Sequence, residues 1–138
     1  MTFKTLMIAG ALSASLVAGS AFAADVAVTL TGVKAEGGTM LVSLQTKDQF
    51  MKPMGAKGAM GPATPGTMVL NIEDVEPGDY AVMVMHDSDS NWNLTMKDGK
   101  PAEGLGTSGP KGASTFEAMK VTVPASGAAV SIALDYPQ

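Results

Sequence analysis

Asp87, Asp89, Asn91 and Asn93 place an oxygen-bearing side chain at every second position of one short stretch. His86, the only histidine, stands directly before them, and Trp92, the only tryptophan, stands among them. Oxygens at this spacing suit a hard cation such as calcium, which gathers six to eight oxygen ligands. Counted as a twelve-residue calcium loop, Asp87, Asp89 and Asn91 take positions 1, 3 and 5, Asn93 takes 7 and Asp98 takes 12. A bidentate carboxylate at the last position would close the shell. Two departures stand out: Trp92 occupies position 6, where such loops turn on Gly, and Asp98 is shorter than the usual Glu. The same residues suit a solvated turn whose Asp and Asn side chains cap their own backbone. The expected metal ligands are therefore Asp87, Asp89, Asn91, Asn93 and Asp98, with calcium as the cofactor, and the polar turn stays open as the alternative.

Other chemistries have thinner support. Zinc would need more His, Cys or clustered carboxylates than one imidazole offers. A hydrolase triad could use His86 with Ser88 or Ser108, but no nucleophile-elbow motif surrounds either serine. The plain role for His86 is to end a strand and bond to loop backbone. Met51-Lys52-Pro53-Met54, with Met60 beyond, has a loose Met-x-x-Met spacing, and thioethers select Cu(I). Periplasmic copper binding through this Met-rich loop is the first alternative function, and a hydrolase using His86 is the second. Methionine also fills core gaps, and this chain has few aromatics to do so. Trp92 is either a binding anchor at the loop tip or a cover folded back over the core.

These residues need elements to hold them. Six segments alternate apolar and polar residues with period two, which predicts half-buried strands. Val26, Val28 and Leu30 share one face, as do Met40, Val42 and Leu44, and then Met68, Leu70 and Ile72. Tyr80 to His86 is apolar on both faces, as a central strand would be. Met119, Val121 and Val123, then Val130, Ile132 and Leu134, complete the set. Gly37-Gly38, Glu76-Pro77-Gly78-Asp79 and Pro124-Ala125-Ser126-Gly127 are turn sequences, which predict three hairpins. Two long connections, 46–66 and 87–115, are rich in Pro and Gly. The first could hide a seventh strand near 56–60. No sustained helical period appears over 24–138. The expected fold is all-β: an antiparallel β-sandwich, immunoglobulin-like or transthyretin-like, of six to seven strands.

The chain's beginning reads as a secretory signal peptide. Lys4 supplies the charge, Thr5 to Ser20 is largely apolar, and Ala21-Phe22-Ala23 fits the small-x-small cleavage pattern. The expected organisation is a signal peptide over 1–23 and one sandwich domain over 24–138. The location is then exported, in the periplasm, with no membrane span in the mature chain. The chain's formal charge of −4 includes Lys4, and a mildly acidic surface argues against nucleic acid and anionic lipid as partners. With no cysteine, disulfides, thiolate ligands and lipid attachment are all excluded.

Pro77-Gly78-Asp79-Tyr80-Ala81-Val82, His86-Asp87-x-Asp89-x-Asn91, Gly99-x-Pro101-x-Glu103-Gly104-x-Gly106-x-Ser108 and Phe116-x-x-Ala118 together resemble a family of small exported bacterial proteins. That family is the domain of unknown function numbered 2141. The resemblance runs from Asp25 to Tyr136 and implies a small β-sandwich. It also implies a His-Asp loop followed by Gly, a hydrophobic residue and Asp. Here Trp92 stands where that Gly is expected, and Thr95 where the Asp is. His86, Trp92 and Glu103 join the loop residues as further ligand candidates. No established activity comes with the family. The functional expectation is a non-catalytic binding or structural module of the bacterial envelope, with a calcium-type site in the 86–93 loop. Its partner would be an envelope protein or a small ligand.

Overall fold

In the computed structural model, residues 23–53 and 55–138 are described. The signal peptide read over 1–23 lies outside them except for Ala23, and so does Met54. The strands are β1 (Ala24–Val33), β2 (Thr39–Gln45), β3 (Lys57–Pro62), β4 (Gly66–Val75) and β5 (Gly78–Asp87). There follow β6 (Met96–Lys97), β7 (Lys100–Pro101), β8 (Gly104–Thr107), β9 (Lys120–Val123) and β10 (Ala128–Ala133). One turn of helix, α1 (Phe116–Met119), precedes β9. Among the described residues, no helix is long and apolar enough to cross a membrane.

Two sheets face one another, one ordered β10–β1–β4 and the other β3–β2–β5–β8 with β9 also on β5. Their inner faces carry the expected alternation. Val26, Val28 and Leu30 of β1 meet Met40, Val42 and Leu44 of β2 and Val82 and Val84 of β5 in one core. The all-β sandwich class is thus as read from the sequence, and the seventh strand near 56–60 is β3. The pairing is antiparallel except between β1 and β10, which run parallel.

The three expected hairpins are not there. β1 pairs with β4 and β10 rather than β2, β4 pairs with β1 rather than β5, and β9 pairs with β5 rather than β10. Each turn sequence does reverse the chain, but it carries it from one sheet to the other. Alternation shows that a strand has one buried face, and both kinds of reversal satisfy that equally. The fifth expected strand also begins later than read. Met119 ends α1, which Thr115 caps by accepting the Ala118 N–H at 3.2 Å.

β5 is the central strand of its sheet and is covered on both sides at its start. On the outer face Ala81 lies under Phe116, Met119 and Phe50, and the two phenyl rings meet edge to face at 5.9 Å. Two strands share the far side of β5 in succession: β9 along 78–81 and β8 along 83–86. Val82 falls at the junction. The buried Ser108 side chain fills the gap, accepting the Val82 N–H at 2.9 Å and donating to Met119 O at 2.6 Å.

Candidate cation site

The register of β5 on β8 builds the site. Met85 pairs with Leu105 and His86 with Gly104, so the next step sets Asp87 against Glu103. Like charges facing each other across strands repel. Here both are also buried: Asp87 is fully enclosed and Glu103 is 4% exposed. Asp89 joins them from the loop, and one carboxylate oxygen from each of Asp87, Asp89 and Glu103 lies within 4.8 Å of the others.

The loop is folded around these carboxylates. Asp87 accepts the Asn91 N–H through Oδ1 at 3.1 Å and the Trp92 N–H through Oδ2 at 2.9 Å. Asp89 accepts the Asn91 N–H at 3.2 Å and the Asn91 amide at 3.1 Å. The Asn91 Oδ1 accepts the Asn93 N–H at 2.9 Å. Glu103 accepts the Thr95 N–H at 3.1 Å, with the Thr95 hydroxyl at 3.5 Å. Burial pushes the Asp87 carboxyl up, but hydrogen bonds from the Trp92 N–H, Asn91 N–H and neighbouring carboxyls bring it below the usual carboxylate range. Glu103 goes the other way. Burial raises it, the Thr95 N–H opposes this, and the charges of Asp87 and Asp89 add to the rise. One carboxyl of the pair thus keeps its proton more readily than a free Glu would. A cation would relieve the same repulsion as that proton.

The residues named from spacing are distributed unevenly. Asp87 and Asp89 converge, and Glu103 joins them from the residue before β8. Asn91 Oδ1 accepts the Asn93 N–H while its amide donates to Asp89, and the Asn93 amide donates to Asn91 O, bonds within the loop as the polar-turn alternative expects. Asp98 is exposed in the turn between β6 and β7, outside the carboxylate group, because those two strands form their own hairpin and hold it there. Trp92 is 57% exposed rather than folded over the core. Its φ of 64° is the left-handed conformation that Gly takes readily, so the loop turns at position 6 as a calcium loop would.

His86 points into the sandwich, away from the carboxylates. Its Nε2 donates to Gly37 O at 2.7 Å, because a carbonyl can only accept, and its Nδ1 accepts from the Tyr136 hydroxyl at 2.6 Å. It therefore orients the β1–β2 connection and the C-terminal segment, not the acidic loop. Both ring nitrogens are occupied, and Ser108 serves the Val82 junction, so neither belongs to a Ser-His pair. Of the loop methionines, Met60 stands opposite Leu41, while the Met51 N–H bonds to Gln45 at the other end of β2. At about 3.3 Å per residue these places are about 13 Å apart along the strand.

The pairing of Glu103 with Asp87 and the part played by Thr95 went unread in the sequence because β8 did. Gly104 and Gly106 interrupt its pattern. A Cβ on Gly104 would strike the Tyr136 ring, and one on Gly106 would come within 2.6 Å of Ile132 Cγ2. Leu105 and Thr107, alternating between these glycines, were the available signal.

The model of a bacterial family described as uncharacterised proteins (DUF2141) matches residues 28–131, and the chain belongs to that family. No curated protein and no solved structure matches it.

Proposed function

We propose that this member of the DUF2141 family is a non-catalytic binding module of the bacterial envelope whose Asp87, Asp89 and Glu103 hold a divalent cation of the calcium type. One observation carries the reading: three carboxylates converge within 4.8 Å, two of them buried on facing strand ends. A hard cation offsets that repulsion and takes oxygen donors only. The Thr95 hydroxyl stands beside Glu103 as a further oxygen. The signal-peptide pattern supports the envelope location.

The test is thermal unfolding of the exported protein with calcium, magnesium or manganese. A ligand at a hundredfold excess over Kd stabilises by about 2.7 kcal/mol, which for a domain this size is roughly 10 °C or more. Asp89→Asn with Glu103→Gln should abolish the shift. Asp87 is left intact because its oxygens anchor the loop backbone. No shift with any of the three ions would defeat the proposal.

A further inference from the structure

β10 is an edge strand, paired with β1 and with no other strand among the described residues. Its sequence, Ala-Ala-Val-Ser-Ile-Ala, has no charged residue, Pro or Gly. Proteins blunt exposed edges with such residues, because unpaired main-chain groups template the addition of another strand. The other edges carry them. β3 has Lys57, Gly58, Gly61 and Pro62, β4 has Glu73 and Asp74, and β8 is only four residues long with Gly104 and Gly106. The open side of β10 can be assigned residue by residue. Leu134 donates its N–H to Thr31 O of β1, so Ile132 and Val130 face β1 as well. Ala129, Ser131 and Ala133 then turn their N–H and C=O groups the other way.

That side opens on a groove of about 460 Å³. Ser131 and Ala133 form one wall, and Leu105, Thr107, Lys111 and Ala113 form the other. β8 and β10 meet at its end through the antiparallel Leu105–Asp135 bridge, and their pairing goes no further. The only charged residues lining the groove, Lys111 and Asp135, bind one another at 2.9 Å. The groove therefore offers main-chain donors and acceptors at alternate residues, and no net charge. An extended polypeptide matches that pattern, whereas a charged ligand would find its counter-ions already paired. A second copy of this chain fits less well. Its own β10 lies behind the same 105–113 wall, and the two walls would meet first. We propose that the free edge of β10 takes an extended segment of a partner polypeptide as a further strand, over about five residues or about 13 Å. Main-chain bonds to Ala129, Ser131 and Ala133 supply the affinity, and uncharged side chains of the segment pack beside Leu105 and Ala113. The groove shares no residue with Asp87, Asp89 and Glu103, so this binding does not depend on an occupied cation site.

The probe is a short fluorescein-labelled peptide of alternating Thr and Val, added to the exported protein and followed by anisotropy and by amide hydrogen exchange. Saturable binding is expected, with slowed exchange at Ala129, Ser131 and Ala133. The same peptide N-methylated throughout offers no N–H and should not bind. Replacing its Val residues with Glu should weaken binding. Ser131→Pro removes one donor from the free edge, leaves the bonds to β1 in place, and should reduce affinity about tenfold. Val69→Ser, on β4 at the far edge of the same sheet, should leave it unchanged. Where Ser131→Pro does not fold, the exchange pattern of the unmodified protein decides. Absent binding, equal affinity for the N-methylated peptide, or protection along β3 or β4 in place of β10 would overturn the assignment. So would concentration-dependent dimerisation that protects the same three amides without peptide, which would make the edge a contact between copies.

Discussion

Asp87 and Glu103 differ in what their environments do to them, and stability should follow. Glu103 is raised above its ordinary value of 4.5. Its contribution is fully present below that value and is lost as pH rises through the folded-state value. Asp87 is lowered below 3.8, so its contribution is present above that value and is lost as pH falls further. Chemical denaturation from pH 4 to neutrality should therefore show the unmodified protein losing stability relative to Glu103→Gln, and saturating calcium should remove the difference. Parallel curves for the two proteins would contradict this. Asp87→Ala should cost about 1–3 kcal/mol, because it strands the Trp92 N–H and leaves the Asn91 N–H to Asp89 alone, while Asp89→Ala in the exposed loop should cost about 1 kcal/mol or less. Trp92→Gly relieves a left-handed backbone and should keep or raise stability by up to about 1 kcal/mol in urea unfolding.

At the scale of elements, β8 makes the site by bringing Glu103 opposite Asp87, and two contacts make β8. Ser108 closes the junction between β8 and β9. Ser108→Ala would leave the Val82 N–H buried without an acceptor, at an expected cost of about 2–3 kcal/mol by denaturant midpoint. Tyr136 lies against Gly104, and its hydroxyl accepts the Lys34 N–H at 3.0 Å while donating to His86. Tyr136→Phe should cost about 1–2 kcal/mol. Gly104→Ala should be worse, since the methyl would displace the Tyr136 ring from His86. A cost near zero for Gly104→Ala would show that the ring is not held there.

The whole molecule is a sandwich whose β8 edge touches the other sheet through Leu105 and Asp135, joined by backbone bonds of 2.9 and 2.8 Å. For the exported protein, mass analysis should find Ala24 or Asp25 as the first residue, and an intact Met1 on membrane-bound protein would count against export. The sequence by itself determined what depends on local physics. Period-two alternation marked the buried face of most strands, because each side chain's face follows from its place along the strand. The apolar run on both sides of 80–86 identified the central strand, and Asp and Asn at alternate positions identified the loop. Tertiary structure alone decided which strands pair. A turn such as Glu76-Pro77-Gly78-Asp79 reverses the chain whether the next strand joins the same sheet or the opposite one. It also decided the composition of the acidic group. Asp98 is close in sequence but is carried away by a hairpin of its own. Glu103 is brought to Asp87 by a register that follows from strand packing around two glycines, a contact over distance that no local spacing encodes.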